Sequence, residues 1–156
     1  MEDSADQVSV RRATTADITQ LCGLLTLLFT QEEEFAPDAD RQACGLHLIV
    51  EQPEFGHIYC AITEGGIVGM VSILFTVSTA EGGRTAWIED MVVHPLQRGQ
   101  GIGERLLHEA IGGARAAGCG RITLLTDATN RSAMRFYSRA GFVRSRMAAW
   151  RLSLMD

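Results

Sequence analysis

Between Val92 and Leu107 the chain reads VVHPLQRGQGIGERLL, with Gly99, Gly101 and Gly103 alternating behind Arg98. At the mouth of a helix the first N–H groups have no intrahelical partner, and the helix dipole adds roughly half a positive charge. Glycines let an anion reach those amides with no side chain in the way, and Arg98 adds a charged fork. The pattern favours a phosphate-bearing ligand, and dinucleotides, nucleoside triphosphates and coenzyme A all qualify. Just upstream, Ile88-Glu89-Asp90 sets two carboxylates into an otherwise apolar stretch. Neighbouring strand residues point to opposite faces, so at least one carboxylate faces the interior or a cleft. Buried without a partner it would be costly, which leaves a functional role or a salt bridge to an arginine.

The elements that must position these groups can be read from spacing. Val8 to Ala13 alternates as a short strand, and Thr14 to Asp17 carries a helix-start signature. Ile18, Leu21, Cys22, Leu25, Leu28 and Phe29 follow as one helical stripe. A less regular helix is expected from Asp40 to Val50. His57 to Glu64, Ile67 to Val77 and Thr85 to Val93 form an antiparallel meander, separated by glycine-rich turns. A long helix then runs from Gly101 to Ala117, with Gly112 and Gly113 unexplained beyond close packing. Arg121 to Thr126 is a buried strand. Asn130 caps a short helix whose apolar face is Ala133, Phe136, Tyr137 and Ala140, and Gly141-Phe142 stops it. A last strand from about Met147 to Leu154 closes the sheet. The order β-α-α-β-β-β-α-β-α-β describes a mixed sheet with helices on both faces and a βαβ crossover around the glycine loop.

At 156 residues this is expected to be one domain, residues 1–156, with an ordinary apolar share of 46%. No run is long enough for a membrane span, and the acidic start MEDSADQVSV is the reverse of a secretory leader, so a cytoplasmic protein is expected. Cys22, Cys44, Cys60 and Cys119 show no zinc or redox spacing, and the four histidines stand apart, so no metal is assigned. Residues 1–78 hold three arginines against twelve acids, whereas residues 79–156 hold eleven against seven, with no lysine anywhere. A polyanion is expected on the second half and any bound cation near the first. The net charge of −5 argues against nucleic acid as the main partner.

That background narrows the glycine loop. The spacing G-x-G-x-G puts Glu104 where a dinucleotide fingerprint has its last glycine, although Asp127 follows at a suitable distance. A P-loop needs a lysine that the chain lacks. Arg98-Gly99-Gln100-Gly101-Ile102-Gly103 instead resembles the pyrophosphate loop of the GNAT superfamily of acetyl-CoA-dependent N-acetyltransferases. NRSAMRFYSRAGF, from Asn130 to Phe142, matches that family's second motif, and the order of elements agrees over almost the whole chain.

The resemblance implies a six- to seven-stranded mixed, largely antiparallel sheet whose central strands splay. It implies acetyl-CoA as cofactor, held by Arg98 to Glu104 and by Asn130, with the pantetheine arm on the backbone of Met91, Val92 and Val93. Tyr137 stands where the family's general acid commonly lies, next to the coenzyme sulfur. Glu89 corresponds to the residue that takes the amine proton through water or binds the substrate cation, with Asp90 second. Glu32, Glu33, Glu34 and Phe35 fall where the family's first helix gives way to the acceptor-binding loop, with Glu33 and Phe35 as candidate contacts for a cationic amine. Arg131, Arg135 and Arg139 could assist with the coenzyme phosphates. The expected activity is acetyl transfer to a primary amine of a small molecule or peptide, by direct attack in a ternary complex. Two rivals stay open: a non-catalytic acyl-CoA sensor, and a nicotinamide-dependent enzyme. Members of the family are often dimers, so a homodimer is admitted, although the sequence displays no interface.

Overall fold

The computed structural model describes residues 7–32 and 34–155. They group into two compact units that divide after Leu124. The first unit holds strands β1 (Ser9–Arg12), β2 (Gly56–Thr63), β3 (Gly66–Ser78), β4 (Gly83–Val93) and β5 (Ile122–Leu124), with helices α1 (Ile18–Gln31), α2 (Ala39–Glu51) and α3 (Ile102–Ala116). Helix α4 (Arg131–Arg139) belongs to the second unit. Strands β1 to β4 run antiparallel in chain order, and β5 joins β4 in parallel after the α3 crossover.

Both faces of this sheet are covered. On one side Leu21 and Leu25 of α1 and Leu46 of α2 pack over Ile58, Cys60, Met70 and Val92. On the other, α3 brings Ile102 and Leu106 against Gly69, where a Cβ would come within 3.0 Å of Leu106. Gly113 on the same helix has a similar reason: a Cβ there would collide with the hydroxyl of Tyr59 and lie 2.9 Å from its Cζ. Gly112 meets nothing, and the structure gives no packing reason for it.

The entry to α1 is fixed electrostatically. Asp17 accepts hydrogen bonds from the backbone N–H of Thr14 at 2.7 Å and from Arg11 at 2.7 and 3.0 Å. The Arg11 guanidinium, helped by Thr14 and opposed by burial, holds the Asp17 carboxyl down to about 2.

The strand expected from Met147 to Leu154 does not form. Among the described residues the sheet has five strands rather than six or seven, and residues 143–155 are in no helix or strand. Their apolar side chains, Trp150 and Leu152 among them, are exposed. Alternation of Trp150, Leu152 and Leu154 with polar residues specifies which face a strand would bury. It does not supply the partner ladder that makes a strand stable.

Candidate active site

Strand β4 carries the site, and its geometry turns on one irregularity. Ser72 pairs with Asp90 but Ile73 pairs with Ile88, so Glu89 is an extra residue, a β-bulge. The bulge resets the alternation: Ile88 falls on the α3 side with Ile73, and Asp90 falls on the α1–α2 side with Ser72. Glu89 and Asp90 consequently line the same cavity, of about 360 Å³. The expectation that two neighbouring carboxylates must face opposite sides is overturned, because it assumed a regular pleat.

The two acids differ in environment. Glu89 is exposed, whereas Asp90 is partly buried beside fully buried Ser72. The backbone N–H of Asp90 donates to Ser72 Oγ at 3.1 Å, and that hydroxyl lies 3.4 Å from Asp90 Oδ2, positioned to donate back. Burial, then the negative charges of Glu89 and Glu32, pushes the Asp90 carboxyl up to about 7, against the opposing pull of the Ser72 hydrogen bond. A group poised there can exchange protons near neutrality, as a general base must.

Helix α2 closes the cavity from above. Asp38 caps it by accepting from the N–H of Arg41 at 3.1 Å. Buried Gln42 accepts from the N–H of Asp38 at 2.8 Å and donates to the Cys22 carbonyl at 3.0 Å and to Thr26 at 3.1 Å, tying α2 to α1. Phe35, 47% exposed, lines the cavity and stacks at a tilt on Phe29 with ring centroids 5.7 Å apart. Glu33 lies outside the described residues. Sequence reasoning missed both Ser72 and Gln42. Ser72 left a signal, as the one polar side chain in the run Ile67 to Phe75. Gln42 left none, because the partners that tie it to α1 are 16 and 20 residues away.

The far end of β4 leads to the glycine loop. Ladder pairing with β5 stops at Ile88 and Leu124, so among the described residues no strand pairs with Glu89–Val93 on the side away from β3. Val92 buries its side chain in the core, leaving only backbone for a ligand. The Nε of Arg98 donates to the Val93 carbonyl at 3.1 Å, anchoring the guanidinium at the strand end while its other donors stay available. Gly99 and Gly101 have φ of 79° and 77°, a conformation that favours glycine, and a Cβ at either would meet nothing within 4 Å. Gln100 and Glu104 are exposed, Gly103 is partly so, and Ile102 is buried as the first residue of α3. The result is an open backbone cradle at a helix N-terminus, which fits a diphosphate.

In the second unit, Asn130 Oδ1 accepts from the N–H of Ala133 at 3.0 Å and so caps α4. Gly141, at φ 100°, and the N–H of Phe142 bonded to the Tyr137 carbonyl end the helix. Tyr137 lies edge-on to Phe136 and Phe142. Burial pushes its hydroxyl up to about 12. Arg131, Arg135 and Arg139 are exposed. Asp127, the acid that a nicotinamide reading would use, is taken up by a turn, accepting from the N–H and hydroxyl of Thr129 at 2.8 Å.

A mixed sheet whose bulged carboxylate strand runs into a glycine-lined helix start is suited to group transfer from a phosphate-bearing donor. The acetyltransferase (GNAT) family profile matches residues 19–142, and the chain belongs to that family. It is 33% identical over 144 residues to the aminoalkylphosphonate N-acetyltransferase of Salmonella typhimurium, covering 92% of this chain and 90% of that one. It is 35% identical over 86 residues to the glucosamine 6-phosphate N-acetyltransferase of Trypanosoma brucei brucei, covering 54% and 56%. Its fold superposes on an aminoglycoside N-acetyltransferase crystallised with CoA, with a TM-score of 0.83 at 14% identity over 99% and 100% of the two chains. The protein is an acyltransferase enzyme.

Proposed function

We propose that the enzyme transfers the acetyl group of acetyl-CoA to a primary amine by direct attack in a ternary complex, with Asp90 as the principal base. The observation that carries this reading is the single cavity into which the β4 bulge brings both Glu89 and Asp90. Arg98 and the backbone from Gly99 to Glu104 would hold the coenzyme diphosphate, and the unpaired side of Met91, Val92 and Val93 would hold its arm. When bound, acetyl-CoA supplies an activated acyl group and a thiolate leaving group.

The chain's own groups divide the remaining work. An amine arrives protonated, and only its neutral form attacks. Asp90 accepts that proton, directly or through water, and Ser72 fixes the carboxylate's orientation. Glu89, exposed at the cavity's edge, attracts the ammonium on its way in. Residue type and position alone favour Glu89 as base, whereas burial beside Ser72 supports its neighbour Asp90 in that role. Burial raises the Tyr137 hydroxyl and so favours its protonated form, the state required of an acid that protonates a thiolate.

Initial velocities measured against both substrates test the reading. Intersecting lines with acetyl-CoA and an amine support a ternary complex, and parallel lines would exclude it. Tyr137→Phe should lower kcat by about a hundredfold while leaving the Kd for coenzyme A within about twofold. An unchanged kcat would remove Tyr137 from the chemistry.

A further inference from the structure

The cavity under α2 also bears on what the amine is attached to. Its walls are apolar: Leu25 and Phe29 from α1, Phe35 from the connecting segment, and Leu46 and Ile49 from α2. The tilted Phe29–Phe35 pair presents ring surface of the kind that packs against another ring or a branched chain. Its polar groups are mainly acidic, with Glu89 and Asp90 on β4. The cation on the cavity lining is Arg41, whose Nε sits 3.6 Å from Asp38 Oδ2, and whose side chain is 76% exposed. Asp38 offsets that charge, so Arg41 gives an anion little net attraction.

From this arrangement, and resting on the transferase reading above, we infer that the acceptor is a primary amine on an apolar body, arylalkyl or branched alkyl, with no anionic group. The ammonium meets the two carboxylates, and the apolar body is desolvated against the α1–α2 wall. A phosphonate or phosphate on the same small molecule would have to enter a cavity that already holds two acids, where like charges repel strongly. The volume of about 360 Å³ lies at the lower end of small-molecule sites, which suits a single ring or a short branched chain. The aminoalkylphosphonate relative would therefore share this chain's fold and chemistry but not its acceptor.

The test is thiol release from acetyl-CoA by the full chain with four amines: phenethylamine, isoamylamine, ethylamine and aminoethylphosphonate. Phenethylamine should exceed ethylamine in kcat/KM by about tenfold to a hundredfold, the effect of burying one ring. Isoamylamine should fall between them, and aminoethylphosphonate below ethylamine. Phe35→Ala, at a position 47% exposed, should narrow the gap between phenethylamine and ethylamine through KM. A ratio near one for that pair, or aminoethylphosphonate turned over as well as phenethylamine, overturns the inference and leaves the transferase reading standing. No acetylation of any of the four amines, with calorimetry still registering coenzyme A, overturns both.

Discussion

The cradle at Arg98–Gly103 and the cavity at Glu89–Asp90 are served by one strand, yet they are made of different material. The cradle is backbone: two glycines at positive φ, the free amides of a helix start, and one arginine clipped to the strand end. The cavity is side chain: two carboxylates, a buried serine and an apolar wall from two helices. A backbone site depends on local conformation, so a substitution acts where it is made. A side-chain site depends on long-range packing, and its electrostatics come from groups far apart in sequence.

The largest expected effect strikes the side-chain half. Asp90→Asn should lower kcat/KM by roughly a hundredfold or more, the usual contribution of a general base. In the parent enzyme kcat/KM should rise with pH and level off above about 7, as Asp90 loses its proton, and Asp90→Asn should lack that limb. Stability runs the other way. The folded carboxyl titrates near 7 and the unfolded one near 3.8, so the folded state binds more protons between those values. Stability from this group is present below about pH 4 and is lost as pH rises towards 7. Denaturant melts across that range should therefore find Asp90→Asn gaining on the parent as pH increases. Glu89→Gln, at an exposed position, should cost activity less than Asp90→Asn does. The reverse order would restore Glu89 as the base.

Next comes the backbone half. Gly101→Ala forces a residue with a Cβ into φ 77° and puts a methyl group on the open face of the cradle. The Kd for coenzyme A by calorimetry should rise by about a hundredfold, whereas the amine KM should change little. If the amine KM moved as far as the Kd, the backbone and side-chain halves would not be independent.

How much could be read in advance follows the same division. The glycine loop was legible because glycine types and spacing encode local backbone shape. So were the α1 stripe, the meander and the Asn130 cap, which are all short-range patterns. The bulge at Glu89 was not legible: a bulge is a property of two paired strands, and nothing in Ile88-Glu89-Asp90 says that Ser72 will pair with one acid and skip the other. The missing last strand has the same origin, since alternation cannot show whether a ladder is available. Ser72 and Gln42 act through partners 18 and 20 residues away, beyond any window of periodicity.

A second pair of substitutions asks whether glycine is always a sign of a site. Gly112 and Gly113 adjoin in α3, but only Gly113 faces the Tyr59 hydroxyl. Gly113→Ala should destabilise by about 1–3 kcal/mol through overpacking. Gly112→Ala, with open space and a helical backbone, should stabilise by up to about 1 kcal/mol. Thermal melts of the two variants measure both, and neither should alter the Kd for coenzyme A. Equal effects would mean that Tyr59 moves aside freely and that the close approach of α3 to β2 is not a constraint.

The smallest effect tests the connection that sequence reading missed. Ser72 Oγ is the neutral group bonded to Asp90, and that bond favours the carboxylate over the acid. Ser72→Ala removes it from a fully buried position with little change in volume. The pH limb assigned to Asp90 should then move upward, because burial and the neighbouring acids are left with less to oppose them. At pH 7 this should appear as a roughly threefold loss in kcat/KM, since a modest pKa shift near the working pH changes the ionised fraction by a similar factor. At high pH, where Asp90 is ionised in either protein, most of the loss should disappear. That recovery separates an electrostatic role from a structural one: a repacked cavity would lower the plateau and leave the limb where it was.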